Sequence, residues 1–329
     1  MTWFEDLTGL PDESVESVRE LLEVDGTILR SRANGGSWRC GELETPSLAE
    51  LRRRVAVLPP GDDPLTVRAV VADVGVLHED ATNAGALFQV ASQFNLLEMI
   101  GPDVTPEQGV GRYQCDPTQG PTCAIAAGAG TIYRNYFVEI EGERGQTRDR
   151  QIDCLADLGA ALGNTDGRLW EMRNGYALAT EEGLATIAER LRDASEAERE
   201  ELRGLLRIGI QSDTQVTRGD SRHVVTQAYC SALPVGYSEL LPARWEPFAR
   251  LVLEAAYEAT LCAARLNAAR TGCRRAYLTL LGGGAFGNPK PWILDALQRA
   301  LDRHRDAGLE VAIVGYPSPD PDVHRLCRA

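Results

Sequence analysis

The chain has 329 residues, a formal net charge of −14 and the hydrophobic share of an ordinary globular protein, so it can bury one large core or two modest ones. That acidic balance excludes a protein that tracks long nucleic acid, because such binding needs a basic stripe to displace counterions. No apolar run reaches the roughly 20 residues that span a bilayer, and the acidic amino terminus lacks a basic-then-apolar leader, so no membrane partner is expected and the expected location is cytoplasmic.

In chain order, a short acidic helix is followed by strands over 26–32 and 37–42, joined by Ala33-Asn34-Gly35-Gly36 as a hairpin turn. A helix capped by Ser47 covers 47–55; its Arg52-Arg53-Arg54 run reads as a solvated face. The segment Pro59-Pro60-Gly61-Asp62-Asp63-Pro64 breaks the chain before a β-branched strand over 65–74. The apolar spacing of Leu87, Val90, Ala91, Phe94 and Leu97 predicts a helix over 85–100. A second helix is expected over 121–137, with Pro121 in its first turn. Gly128 and Gly130 inside it each cost about 1 kcal/mol relative to alanine, which points to a close approach by backbone or ligand.

A helix over 152–162 precedes a hairpin, 169–173 and 176–180, turning at Asn174-Gly175. Two short charged helices lie between 181 and 206. Strands follow over 206–211 and 223–231, then a long alanine-rich helix over 245–271. The chain closes with a strand (276–281), a glycine-rich loop, a helix (289–304) and a strand (309–315). Strand–helix alternation in the second half predicts a mixed sheet covered on both faces. Two domain units are expected: 1–60 as an extension or small subdomain, and 61–329 as one α/β domain with insertions over about 101–205.

None of the eight cysteines forms a C-x-x-C pair, and the four histidines have no metal-ligand spacing. Free buried thiols are therefore expected, with no metal and no cofactor.

The loop Gly282-Gly283-Gly284-Ala285-Phe286-Gly287 satisfies G-x-G-x-x-G between a strand and a helix. Glycines there let backbone amides approach a diphosphate, and the helix that follows presents its positive end. Asn288 is the expected N-cap and Pro289 the first helical residue. A dinucleotide fold of the dehydrogenase type is excluded, because the motif lies about 45 residues from the end and no acidic residue ends the next strand. A Walker A loop is excluded by the absence of Gly-Lys-Ser/Thr. A strand-to-helix turn without a ligand is the plain alternative, although three consecutive glycines exceed what a turn needs.

The stretch LTLLGGGAFGNPKPWILDALQRAL resembles the phosphate-binding loop of macrodomains, nearest the poly(ADP-ribose) glycohydrolase branch. TQAYCSALPVGYSELLPARWEPFARLVLEAAYEAT and DATNAGALFQVASQFNLLEM are similar to that branch's earlier strand–loop–helix segments, so the resemblance spans roughly residues 70–315. It implies a three-layer α/β/α fold with a mixed central sheet and an N-terminal extension. It also implies a small nucleotide diphosphate such as ADP-ribose as partner, free or attached to a macromolecule, and glycosidic hydrolysis as the activity. Carried over by position, Asp80 meets the adenine and Asn83 the distal ribose, Gly85 stands in what remains of the family's glycine-rich first loop, and Gln93 takes the place of the family's glutamine. Gly282, Gly283, Gly284, Ala285, Phe286, Gly287 and Asn288 hold the diphosphate. The branch's glutamine followed by two glutamates reads Gln93-Phe94-Asn95 here, which puts an amide where a carboxylate stands in the family. Asparagine cannot act as an acid; Glu98, three residues after Asn95 and on the same face of the expected helix, is the candidate replacement carboxylate beside the plain alternative of a solvated or salt-bridged helix glutamate, and Asn95 would orient the ribose. Gln119 and Gly120, with Arg134 and Asn135, form a candidate second anion site. A non-catalytic reader of ADP-ribose and an interaction scaffold remain open beside the hydrolase.

Overall fold

Side chains alternate across the strands at 87–91 and 224–230, and that alternation sets up two helical layers on one sheet. A computed structural model describes residues 1–12, 14–59, 61 and 63–327. Glu13 of the expected acidic helix, and Pro60 and Asp62 of the expected break, lie outside the described residues.

The chain begins with α1 (Trp3–Thr8) and α2 (Val15–Leu21), capped by Thr2 and Ser14. β1 (Leu22–Asp25), β2 (Ile28–Ser31) and β3 (Ser37–Arg39) pair antiparallel, with residues 33–36 forming the turn between the last two. β4 (Glu42–Glu44) leads to α3 (Leu48–Ala56), where Ser47 and Glu50 close a capping box. β5 (Thr66–Val71) and α4 (Val74–Glu79) follow.

Over 85–100 the structure departs from the expected helix. Leu87–Ala91 form strand β6, and a turn carries the chain on to Glu98. Leu87, Phe88, Gln89 and Val90 are all buried, as in a central strand covered on both faces. A buried strand plus a turn thus mimicked a helical apolar stripe.

The helix expected over 121–137 is divided. α5 (Gln119–Ala126) and α6 (Gly128–Ile132) meet at Ala127, and a π turn covers Tyr133–Phe137. The glycines are explained by the protein itself: a Cβ on Gly128 would stand 2.6 Å from the Trp3 ring, and one on Gly130 2.7 Å from Thr214 Oγ1. β7 (Glu139–Ile140) and β8 (Glu143–Arg144) make a small hairpin, then α7 (Ala156–Leu162) starts four residues later than expected. β9 (Trp170–Arg173) and β10 (Tyr176–Ala179) pair about Asn174 and Gly175, both at positive φ. After α8 (Glu181–Asp193) and α9 (Glu196–Leu205) come β11 (Gly209–Gln215), β12 (Val224–Cys230) and the 30-residue α10 (Pro242–Thr271). β13 (Arg275–Thr279), α11 (Lys290–Arg303), β14 (Glu310–Gly315) and α12 (Pro321–Leu326) complete the chain.

Seven strands form one sheet in the order β4-β11-β12-β6-β13-β14-β5. β4, β11 and β12 pair antiparallel, whereas β12, β6, β13, β14 and β5 run parallel. On one face Gln89, Thr226 and Cys230 bond to Thr260 and Asn267 of α10, against which α3, α8, α9 and α11 pack. On the other face Phe88 stacks on His78 of α4, and Gln227 donates to the Cys123 carbonyl of α5. This is the three-layer α/β/α arrangement with a mixed sheet that the resemblance implied. The first 60 residues contribute β4 to the sheet's edge, and a second apolar cluster joins Phe4, Val18 and Leu29 to Met99, Ile132 and Tyr136. Among the described residues no helix is long and apolar enough to cross a membrane. Of the eight thiols, five are buried, Cys115 is exposed, and Cys273 and Cys327 are intermediate.

Candidate functional site

Parallel strands end together, and the loops leaving their carboxyl ends leave room for a ligand. Here β6, β13 and β14 end at a cleft of about 410 Å³, walled on one side by the glycine loop and on the other by the start of α5 and the turn at 92–99.

The glycines of the loop differ in what they answer to. Gly282 has φ 76°, and a Cβ there would lie 2.5 Å from that of Ala232, so the fold itself demands glycine. Gly284 lies outside the left-handed region, and a Cβ on it would meet nothing within 4 Å. No contact inside the protein requires glycine at that position. Gly287 N donates to the Gly284 carbonyl and Asn288 N to that of Gly282, closing the loop. The amides of Gly284, Ala285 and Phe286 find no acceptor among the described residues. Asn288 does not cap α11: Pro289 holds that position, and the Asn288 side chain donates 2.8 Å to the Leu233 carbonyl, tying the loop to the segment after β12.

Opposite the loop, Ala91 and Gly120 are in close approach. A Cβ on Gly120 would stand 2.2 Å from the Ala91 carbonyl and 2.7 Å from Glu98 Oε2, so only glycine lets α5 reach the strand end and the carboxylate. Glu98 lines the cleft, is 4 % exposed, and its Oε1 has no hydrogen-bond partner among the described residues. Burial pushes its carboxyl well above the usual range; the Arg134 charge opposes this and the Asp116 charge adds to it. A carboxyl whose proton burial holds more tightly can serve as a proton donor at the end of a cleft.

Gln93 also lines the cleft, with its Oε1 accepting from Met99 N at 2.9 Å. Gln119 and Gly120 belong to this same cleft rather than to a second one, and Gln119 Oε1 is occupied by the Val74 amide at 2.9 Å. Arg134 is fully buried behind the turn, 3.7 Å over the Tyr229 ring, and Asn135 is buried with its amide donating to the Pro106 carbonyl. Neither is placed to receive a ligand, so the expected second anion site is not assembled.

Four further expectations are corrected. Asn95 is turned away: its Oδ1 accepts from Leu97 N and its Nδ2 donates to Gln151, so both ends of the amide serve the turn. Asn83 is buried at the amino end of β6, accepting from the Tyr277 hydroxyl at 2.7 Å and donating to the Leu77 carbonyl. Because β6 and β13 are parallel, Asn83, Gly85 and the exposed Asp80 lie at the opposite end of the sheet from the glycine loop. The structure brings together Gln93, Glu98, Gln119, Gly120 and the loop, and does not bring in Asp80, Asn83, Gly85 or Asn95.

Four cleft residues escaped the sequence reading. Tyr176 and Tyr237 pack with Phe286, ring centroids 5.1–5.7 Å apart, and give one wall an aromatic surface. Lys290, the chain's single lysine, stands at the rim paired with Asp320 and Asp322. Asp116 lines the cleft just before α5. Only Lys290 carried a readable signal, its position three residues after Gly287.

No family model matches the chain, and no curated protein is similar to it. Among solved structures, it is similar to poly(ADP-ribose) glycohydrolase from Thermomonospora curvata, at 11 % identity over 95 % of each chain with a TM-score of 0.46. It is also similar to poly(ADP-ribose) glycohydrolase from Deinococcus radiodurans in complex with ADP-ribose, at 13 % identity over 88 % of this chain and 92 % of that one, with a TM-score of 0.43.

Proposed function

We propose that the cleft binds ADP-ribose or a closely related nucleotide diphosphate, with the diphosphate on Gly282–Gly287, and that Glu98 serves there as the acid in hydrolysis of a glycosidic bond. The observation that carries this reading is Gly284. A glycine that the protein's own packing does not need, beside three amides without acceptors, fits a loop shaped to meet an anion from outside. The Ala285-Phe286-Gly287 ending and its resemblance to the macrodomain loop favour a diphosphate over an isolated phosphate. The aromatic wall of Tyr176, Tyr237 and Phe286 suits a ligand with flat apolar faces.

The chemistry asked of Glu98 needs no metal. As a bond between the distal ribose and a leaving oxygen breaks, a neutral carboxyl beside that oxygen supplies the proton, and the anion it leaves stabilises the developing positive charge on the ribose. Calorimetry with ADP-ribose tests the binding. Heat of binding in the parent protein, absent in Gly284→Glu, is the expected result, because the substitution puts bulk and negative charge against the diphosphate. No heat at millimolar ligand would sink the reading. Binding without release of ADP-ribose from any modified substrate would leave a reader rather than a hydrolase.

A further inference from the structure

The proposed hydrolase has an acid, yet neither Gln93 nor the inward-bonded Asn95 can activate water. We propose that Asp116 is the general base, making with Glu98 an acid–base pair of carboxylates across the start of α5. This inference rests on the reading of the cleft given above.

The two groups are 18 residues apart in sequence and are joined through one residue. Glu98 N donates 2.9 Å to the Tyr113 hydroxyl, and Asp116 N donates 3.1 Å to the Tyr113 carbonyl. The backbone that carries each carboxylate is thus anchored to the same tyrosine, which is buried. Both carboxylates line the cleft, with the glycine loop facing them. Asp116 Oδ1 accepts from Thr118 N at 2.9 Å, which fixes the side chain, and Oδ2 has no partner among the described residues. Their surroundings differ in the direction the two roles require. Glu98 is almost wholly enclosed, whereas Asp116 is half-buried and open to solvent water.

The step balances within the cleft. Glu98 gives its proton to the leaving oxygen while the ribose C1–O bond breaks, and the bond pair leaves with that oxygen as an alcohol, or as a carboxylic acid where the link is an ester. Water bonds to C1 through its oxygen and loses a proton to Asp116. Glu98 ends as a carboxylate and Asp116 as an acid, and proton exchange with solvent restores both.

The test uses the full chain with three substrates: poly(ADP-ribose), a peptide ADP-ribosylated on serine, and one ADP-ribosylated on glutamate. Asp116→Ala is expected to bind ADP-ribose within threefold of the parent and to lose on the order of 10²–10⁴-fold in release. Sodium azide, a nucleophile that arrives without a proton to remove, is expected to restore turnover in Asp116→Ala as ADP-ribosyl azide, and to restore nothing in Glu98→Gln. A merely structural aspartate would give no azide rescue. The inference is overturned by an Asp116→Ala variant that hydrolyses within threefold of the parent, by failure of azide to rescue it, or by a parent that binds ADP-ribose yet cleaves none of the three. A parent that does not bind ADP-ribose overturns the underlying reading instead, and the calorimetry separates the two failures.

Discussion

Arg134 Nε donates 3.2 Å to the carbonyl of Leu96, and Leu96 is the residue held at φ 64° in the turn that delivers Glu98 to the cleft. A leucine in the left-handed region costs roughly 1–2 kcal/mol, so the turn persists only because its surroundings hold it. Arg134 supplies much of that hold. Its Nη2 donates to Thr131 at 3.0 Å and its guanidinium stacks on Tyr229, while Gln146 donates to the carbonyl of neighbouring Asn95. Arg134→Ala should therefore destabilise the fold by about 3 kcal/mol, the sum of an orphaned carbonyl and a lost desolvated cation–π contact. Urea unfolding measures this, and Arg134→Lys, which lacks the planar fork, should recover less than half of the loss. A variant within 0.5 kcal/mol of the parent, roughly the scatter of surface changes, would show that the turn holds itself.

Gly282 and Gly284 should separate stability from binding. Gly282→Ala forces a Cβ against Ala232 at a positive φ, and should cost about 2 kcal/mol or more of stability. Gly284→Ala meets open space and should leave the unfolding midpoint unchanged. It should still weaken ADP-ribose about tenfold, since a methyl there stands where the ligand's oxygens approach. Thermal melts with and without ligand distinguish the two. Equal ligand affinity in Gly284→Ala and the parent would remove the loop from the binding site.

Much of this arrangement is legible in the sequence. The loop, its strand and its helix were readable because a glycine run, a short apolar stretch before it and a proline opening an amphipathic helix after it are local signals. The alternation of strands and helices was enough to imply a layered α/β fold. What failed was local pattern under two-sided burial. The stretch from Leu87 to Leu97 is apolar at helical spacing because a central strand is buried on both faces and a turn follows it. With that helix gone, Asn95 and Glu98 no longer share a face, and one turns inward while the other reaches the cleft. Asp116 and Tyr176 arrive from distant parts of the 101–205 region and Tyr237 from the segment after β12, and no local pattern encodes how they pack together.

Tyr237 tests the aromatic wall. It is the most exposed of the three rings, and it meets Phe286 edge-on at 5.7 Å. Tyr237→Ala should change stability by less than about 1 kcal/mol, because little area is released. It should lower ADP-ribose affinity by about tenfold through loss of an aromatic contact. Calorimetry reads the affinity, and an unchanged constant would move the ligand away from this wall.

The last prediction concerns the layer behind the sheet, where Glu258 of α10 is 2 % exposed among three arginines. Arg52 Nε reaches its Oε1 at 2.6 Å, Arg299 its Oε2 at 2.9 Å and Arg303 its Oε1 at 3.2 Å. Burial alone would raise the carboxyl, but the bonds to Arg52 and Arg299 and the arginine charges outweigh it and bring it down to about 2. A carboxyl lowered on folding stabilises above its unfolded value near 4.5, and that contribution disappears as the pH falls through the window down to about 2. At neutral pH Glu258→Gln should be less stable than the parent by about 3 kcal/mol. Between pH 4.5 and pH 2 the parent should lose that advantage and the two unfolding curves should converge. Parallel curves over that range would mean that Glu258 is not the group whose protonation loosens the contacts of α10 with α3 and α11.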